Sequence, residues 1–264
     1  MMKIRQITLI FSELYNRYKK LGLEIYGCYS PYLKVKKPSN YVVKQKQLMC
    51  TSGGITNDEM FIMYPILLTL KPKNILIIGN SYGLSTLFIS LSLKNSKVVA
   101  LEKYRTNGIS FTKKLLKGMK NKHVIKGSTP EDLEKIINKY FNNKLDMVFV
   151  DAVHTNDYQT KEFLIYEKYL SKYSVVFFHD VISCNLLKSF NLLKKKYKNY
   201  SFKLLNKSSN GIAICTKKKS FKILENFLNY FSTEKLKASK FIKFINNKHK
   251  KGKTGFFTPK HPQL

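Results

Sequence analysis

The chain of 264 residues has no tryptophan, only 16 acidic residues, and three arginines, Arg5, Arg17 and Arg105. Its four cysteines, Cys28, Cys50, Cys184 and Cys215, show no CxxC spacing. A disulfide-stapled mini-protein and a zinc-finger array are thereby excluded, and the thiols fit a reducing compartment. No apolar run reaches the roughly 18 residues that a membrane-spanning helix needs. Ile7–Phe11 is too short for the apolar centre of a secretory leader, and no small-residue cleavage site follows it. These absences point to a cytoplasmic protein without a transmembrane segment.

What is abundant is lysine. Removing the three arginines from 48 basic residues leaves 45 lysines, and the net charge is +32. Apolar residues still make up 44% of the chain, which argues for a packed core and against disorder. The excess charge sits on the flanks: residues 181–264 hold 20 basic and 2 acidic residues, whereas residues 51–180 hold 18 and 12. Proteins that read nucleic acid lean on arginine for bidentate contacts. A lysine-rich flank without arginine reads first as a solvated face, and only second as a surface for phosphate polymers or anionic lipid.

Periodicity predicts a helix over residues 3–22 and an irregular connector over 28–50, with a strand at Tyr41–Val43. The Gly-rich segment TSGGIT (51–56) precedes a helix capped by Thr56 or Asn57 and running to about Leu70, kinked or split by Pro65 and ended by Pro72. Strands then alternate with helices. Strands are expected at Asn74–Ile78, Val98–Leu101, Val124–Ile125, Asp146–Val150 and Val175–Phe178. Helices are expected at Leu84–Leu93, Ile109–Leu116, Pro130–Tyr140, Tyr158–Leu170 and Asn185–Tyr197. Continuous apolar strands between helices imply an α/β fold with a parallel sheet covered on both faces. Ser201–Leu205 and Gly211–Thr216 have no helix between them and should close the sheet as an antiparallel hairpin. One or two helices over 220–246 and a Lys- and Pro-rich tail over 247–264 follow. The expected division is an N-terminal extension (1–50), a central domain (51–217) and a basic C-terminal extension (218–264).

Three strand ends carry residues suited to chemistry. After the first strand of the series, Gly79 and Gly83 bracket Asn80-Ser81-Tyr82 ahead of a helix, a turn that brings a ligand close to backbone N–H groups. At the end of the next strand stands Glu102, placed to accept hydrogen bonds from both hydroxyls of a ribose. The fourth strand ends in Asp151 with His154 beyond it, and the fifth in His179-Asp180. Asp151, His179 and Asp180 on adjacent strand ends could hold Mg2+ or Mn2+, or His179 or His154 could take a proton from a substrate hydroxyl. The competing readings are a relieved turn at the glycines, a helix cap at Asp151 and a surface histidine at His154.

The segments NILIIGNSYGLST, KGSTPEDL, VDAVHTNDY and FFHDV together resemble the class I S-adenosylmethionine-dependent methyltransferases. Within them they are similar to the sugar and small-molecule O-methyltransferase and cephalosporin-hydroxylase-type branch. The resemblance spans roughly residues 50–217. It implies a Rossmann-like, doubly wound, seven-stranded sheet whose last strand is antiparallel, with helices on both faces. It implies S-adenosyl-L-methionine as cofactor, held around Gly79, Asn80, Ser81, Gly83, Ser85, Glu102, Ser128 and Asp151. Asp151, His179 and His154 would carry catalysis, with Asp151, His179 and Asp180 around a divalent metal in some members. A small-molecule or glycan hydroxyl would be the acceptor. The chain departs from many members at Ile77, two residues before Gly79, where they carry an acid; the Asn80–Ser81 loop or Asp151 would then face the cofactor ammonium. An RNA methyltransferase, a non-catalytic binding protein of the same fold and a dehydrogenase are the rival readings. A homo-oligomer through the flanking helices is compatible with all of them.

Overall fold

The structure is a computed structural model that describes residues 4–27, 39–44, 47–50, 54–104 and 106–232. The N-terminal part comprises helix α1 (Ile4–Lys20) and three four-residue strands, β1 (Leu23–Tyr26), β2 (Tyr41–Lys44) and β3 (Gln47–Cys50), paired as an antiparallel sheet β1-β2-β3. Leu14 and Tyr18 of α1 are fully buried one turn apart, which is the face that the periodicity anticipates. The small sheet falls in and beside a segment read as an irregular connector. Its strands are short and mix Glu24 and Lys44 among apolar residues, so pairing partners rather than local pattern create them. The rest of that connector, residues 28–38, and the expected tail over 247–264 lie outside the described residues.

Helix α2 (Asn57–Leu70) opens with a capping box: the Thr56 hydroxyl accepts from the Glu59 N–H, and the Glu59 carboxylate accepts from the Thr56 N–H. Pro65 neither splits nor ends it. The residue four before it, Phe61, is exposed. Lys71, in the left-handed conformation ahead of Pro72, closes the helix.

The main sheet contains β4 (Asn74–Ile78), β5 (Lys97–Glu102), β6 (Lys122–Lys126), β7 (Leu145–Val150), β8 (Leu170–Phe178), β9 (Tyr200–Leu205) and β10 (Ile212–Lys217), in the order β6-β5-β4-β7-β8-β10-β9. The first five are parallel, and β10 is antiparallel to both β8 and β9, as the missing crossover helix requires. Helices α3 (Leu84–Ser92), α4 (Thr106–Leu115), α5 (Leu133–Phe141), α6 (Asn156–Tyr166), α7 (Leu187–Lys196) and α8 (Lys218–Phe231) complete the chain order. One expected helix is shorter than anticipated: α6 ends at Tyr166, a 3-10 turn covers Glu167–Tyr169, and β8 begins at Leu170. The exposed Lys172 and Tyr173 and the irregular register opposite Leu145–Met147 hide this early start from a hydrophobic-run reading.

Alternate residues of β4 explain the two-sided core. Ile75 and Ile77 pack with α1, α2, α3, α4 and α8, whereas Leu76 and Ile78 pack with α5, α6 and α7. Each such side chain contributes about 1.5–3 kcal/mol by leaving water. This places Ile77 in the core with no access to a ligand. No helix among the described residues is long and apolar enough to cross a membrane.

Candidate active site

Ladder hydrogen bonds continue one residue past the strand ends and align the residues there. The Gly79 N–H donates to Leu101 O (3.1 Å), Gly127 N–H to Glu102 O (3.2 Å), Asp151 N–H to Ile78 O (2.8 Å) and His179 N–H to Val150 O (3.0 Å). Gly127, Glu102, Gly79, Asp151 and His179 therefore form a row along the carboxyl edge of the parallel strands, where open α/β sheets bind ligands. A cavity of about 490 Å³ lies on this row, within the size range of small-molecule sites.

The glycines are sterically required. Gly79 has φ +93°, and a Cβ there would stand 2.0 Å from the Asp151 carbonyl oxygen. Gly83 has φ +82°, and its Cβ would stand 2.3 Å from the Thr112 hydroxyl. Between them the Asn80 side chain is buried and staples the loop. Its amide donates to Thr112 Oγ1 (2.9 Å) and to Ser81 O (3.0 Å), and its oxygen accepts from Thr86 Oγ1 (2.9 Å). Glu102 leans onto the same loop, accepting from Ser81 N (2.7 Å) and Asn80 N (3.3 Å) through Oε2 and from Tyr104 N (3.2 Å) through Oε1. Glu102 also lines the cavity. From outside, the buried Tyr18 hydroxyl of α1 donates to Tyr82 O (2.7 Å).

At the other end of the cavity, four side chains converge. The ligand-capable atoms of Asp151, His154, His179 and Asp180 all lie within 4.8 Å of one another. His154 Nε2 is 3.2 Å from both Asp151 Oδ1 and Asp180 Oδ2. His179 Nδ1 is 3.0 Å from Asp151 Oδ1 and 3.5 Å from Asp180 Oδ1. The second nitrogen of His179 reaches Glu59 Oε2 at 2.9 Å, and both residues are buried. Asp180 holds a left-handed backbone (φ 56°), fixed by the Ser183 hydroxyl on its carboxylate (2.7 Å) and the Cys184 N–H on its carbonyl (2.9 Å).

The electrostatics follow from this packing. Burial disfavours the charged form of His179, but the charges of Asp151 and Glu59 outweigh it and raise its pKa well above the usual value. The hydrogen bond to Asp151 raises that of His154. Burial works against the charged forms of Asp151 and Asp180 as well. The positive charge of His179 and the hydrogen bonds from the two imidazoles and Ser183 prevail, and both carboxyls sit below the usual range. The cluster thus favours bound positive charge, whether proton or metal. Its donor set of two carboxylates and two imidazoles fits a divalent ion.

Of the residues singled out in the sequence, Gly79, Ser81, Glu102, Asp151, His154, His179 and Asp180 all line the one cavity. Asn80, Gly83, Ser85 and Ser128 do not; Asn80 and Gly83 shape the loop, and Ser128 caps the turn before α5 through Glu131 and Asp132. Sequence reasoning missed Ser39 and Tyr41 of the N-terminal part, Thr129, and Asn210 of the last hairpin, all of which line the cavity. Glu59 falls in the first turn of α2, where an acid suits the helix dipole, and sequence reasoning gives it no further role. The capping-box spacing was visible, but the reach of that carboxylate to His179, 120 positions away, was not.

Residues 76–181 match the family model described as a methyltransferase domain. No curated protein matches the chain. Among solved structures, the chain is similar to an O-methyltransferase from Bacillus cereus in complex with SAH, at 18% identity and TM-score 0.53, covering 62% of this chain and 83% of that one. It is also similar to the O-methyltransferase TomG from Streptomyces achromogenes, involved in tomaymycin synthesis and solved with SAM, at 16% identity and TM-score 0.54, covering 62% and 81%. A third is the SAH-bound methyltransferase PaMTH1 from Podospora anserina, at 19% identity and TM-score 0.52, covering 62% and 80%. The fold is the Rossmann-like, seven-stranded fold of class I methyltransferases, with the antiparallel strand where the sequence placed it.

Proposed function

We propose that the chain is an S-adenosylmethionine-dependent O-methyltransferase acting on a small-molecule or glycan hydroxyl. The observation that carries this reading is the acid-lined cavity on the Gly79–Glu102–Asp151 row. Among the described residues, Glu102, Asp151 and Asp180 face this cavity together with one lysine, Lys103, and the imidazoles of His154 and His179. The carboxylates along the row suit a cofactor that carries a sulfonium and an ammonium. S-adenosylmethionine supplies a methyl group already activated on sulfur, so the protein has to position and desolvate. Gly79 and Ser81 let the cofactor approach the backbone, and Glu102 accepts from its ribose hydroxyls. The methionine end then points to Asp151, since Ile77 is sealed in the core.

Ser39, Tyr41, Ser183 and Asn210 line the same cavity and bring hydrogen-bonding groups that suit a polyhydroxylated acceptor. With the cofactor bound, the Asp151–Asp180 edge would hold the acceptor hydroxyl and one of these carboxylates would take its proton as the methyl group passes to the oxygen, the electron pair of the carbon–sulfur bond staying on sulfur. A divalent ion held by the Asp151–His154–His179–Asp180 cluster would act there as a Lewis acid on the acceptor oxygen. Calorimetric titration with S-adenosylhomocysteine tests the reading. Micromolar binding that weakens at least about tenfold in Glu102→Ala is the expected result, on the order of one charge-assisted hydrogen-bond pair lost. No binding at millimolar ligand would refute it.

A further inference from the structure

We infer that Glu59 is a positioning residue for a mixed imidazole–carboxylate metal site, and that this site takes an imidazole-preferring first-row cation such as Zn2+, Fe2+ or Co2+ ahead of Mg2+. The inference rests on the reading of this cavity as the transfer site for its purpose, but not for the binding itself.

Spacing is the first argument. His179 Nδ1 lies 3.0 Å from Asp151 Oδ1, which lies 3.2 Å from His154 Nε2; the two oxygens of Asp180 complete the ring, Oδ2 at 3.2 Å from His154 Nε2 and Oδ1 at 3.5 Å from His179 Nδ1, and one ligand atom from each residue lies within 4.8 Å of the others. Bonds of about 2.0–2.2 Å to a common ion leave neighbouring ligand atoms roughly 2.8–3.6 Å apart, from octahedral to tetrahedral arrangements. All four residues line the cavity.

Glu59 supplies the second argument. Four donors converge on its buried carboxylate: Thr56 N (3.0 Å), His179 Nε2 (2.9 Å), Asn210 N (3.1 Å) and Asn210 Nδ2 (3.4 Å). A carboxylate used by that many donors accepts from His179 as well, so Nε2 carries a hydrogen and Nδ1 faces Asp151 and Asp180, where a bound metal would take the place of its proton. Carboxylate–histidine pairs of this kind orient metal ligands and raise their basicity. Here the carboxylate comes from α2 and its anchor, Asn210, from the last hairpin, so three separate chain segments fix one imidazole.

Donor type is the third. Mg2+ takes oxygen ligands and keeps several waters, whereas imidazole suits Zn2+ and Fe2+. Two of the four donors here are imidazoles.

The full-length chain, stripped with chelator and dialysed, is titrated with Zn2+, Co2+ and Mg2+ by calorimetry, and with Co2+ by visible absorption. S-adenosylhomocysteine binding is measured on the same samples. The expected result is one ion per chain, with Co2+ and Zn2+ bound about 100-fold or more tighter than Mg2+. Glu59→Gln should weaken Co2+ binding by about 10–100-fold and alter its visible spectrum. His154→Asp, in the more exposed half of the ring, should narrow the Co2+/Mg2+ ratio, and it serves if Glu59→Gln does not fold. Absence of stoichiometric binding, a Mg2+ affinity equal to that of Co2+, a Glu59→Gln variant that folds with unchanged affinity, or an unchanged ratio in His154→Asp would each overturn the inference. Metal binding without S-adenosylhomocysteine binding would overturn the methyltransferase reading and leave the metal site standing.

Discussion

Replacing Gly79 by alanine tests how far the site depends on one missing Cβ. In the wild-type backbone that atom would lie 2.0 Å from Asp151 O, 2.5 Å from Asp151 C and 2.9 Å from Ala152 N. Ordinary contact needs about 3.4 Å, so the ends of β4 and β7 must separate by on the order of 1 Å against a close-packed core. The left-handed conformation alone costs about 1–2 kcal/mol for a residue with a Cβ. Overpacking against backbone adds about 1–3 kcal/mol. The sum, about 2–5 kcal/mol, corresponds to a fall in Tm of roughly 4–20 °C for a chain of this size. Gly118 provides the control, because it has φ +82° and nothing within 4 Å of the point where a Cβ would stand. Gly118→Ala should carry the conformational cost alone. Thermal unfolding of both variants, with S-adenosylhomocysteine titration, separates the two terms. Gly79→Ala is expected to melt below Gly118→Ala and to lose ligand affinity, since the Asp151 backbone must move. Equal melting temperatures and unchanged affinity would refute the claim that this contact shapes the cavity.

Two further substitutions probe the frame around the site. Burial pushes the Glu162 carboxyl up to about 7, above its ordinary 4.5, with the Thr129 hydroxyl donating to it at 2.5 Å. The folded state then holds a proton that the unfolded state gives up, so stability falls as pH rises from about 4.5 to about 7 and levels off above, by at most about 3 kcal/mol. Glu162→Gln should match wild type at pH 4.5 and melt above it at pH 8; parallel profiles would contradict the assignment. The ammonium of Lys122, half-buried at the end of α3, donates to Leu93 O (3.0 Å), Lys94 O (3.3 Å) and Ser96 O. Lys122→Met should lower stability by about 2–3 kcal/mol in chemical denaturation, through carbonyls left without a donor, and a loss below about 0.5 kcal/mol would count against that role.

Much of the architecture was readable because fully buried parallel strands appear as short apolar runs with defined ends. Gly79, Glu102, Asp151 and His179 each stand at such an end, so one sheet edge collects them once the strands are in order. Pro65 does not split α2, whose residues on both sides of it, Tyr64 and Ile66 among them, are held in the core by packing that the local sequence does not encode. Strand β8 began early because its first residues pair with β7 while pointing Lys172 and Tyr173 outward. The contributions of Glu59, Asn210, Ser39 and Tyr41 depend on contacts between distant segments, which no local periodicity encodes. Glu59 was further concealed by having a sufficient local explanation in the capping box.

The grip of α1 on the Gly79–Gly83 loop also bears on how the chain comes to be folded. Tyr18 bonds to Tyr82 O, 64 positions later, and Arg17 bonds to Leu115 O, 98 positions later. During synthesis from the N-terminus, the apolar face of α1 therefore waits until α3 and α4 have left the ribosome. The first helix in the described chain order is thus completed only by partners 64 and 98 positions later, and a substitution in its apolar face would be felt at the far end of that reach, in the loop around Tyr82.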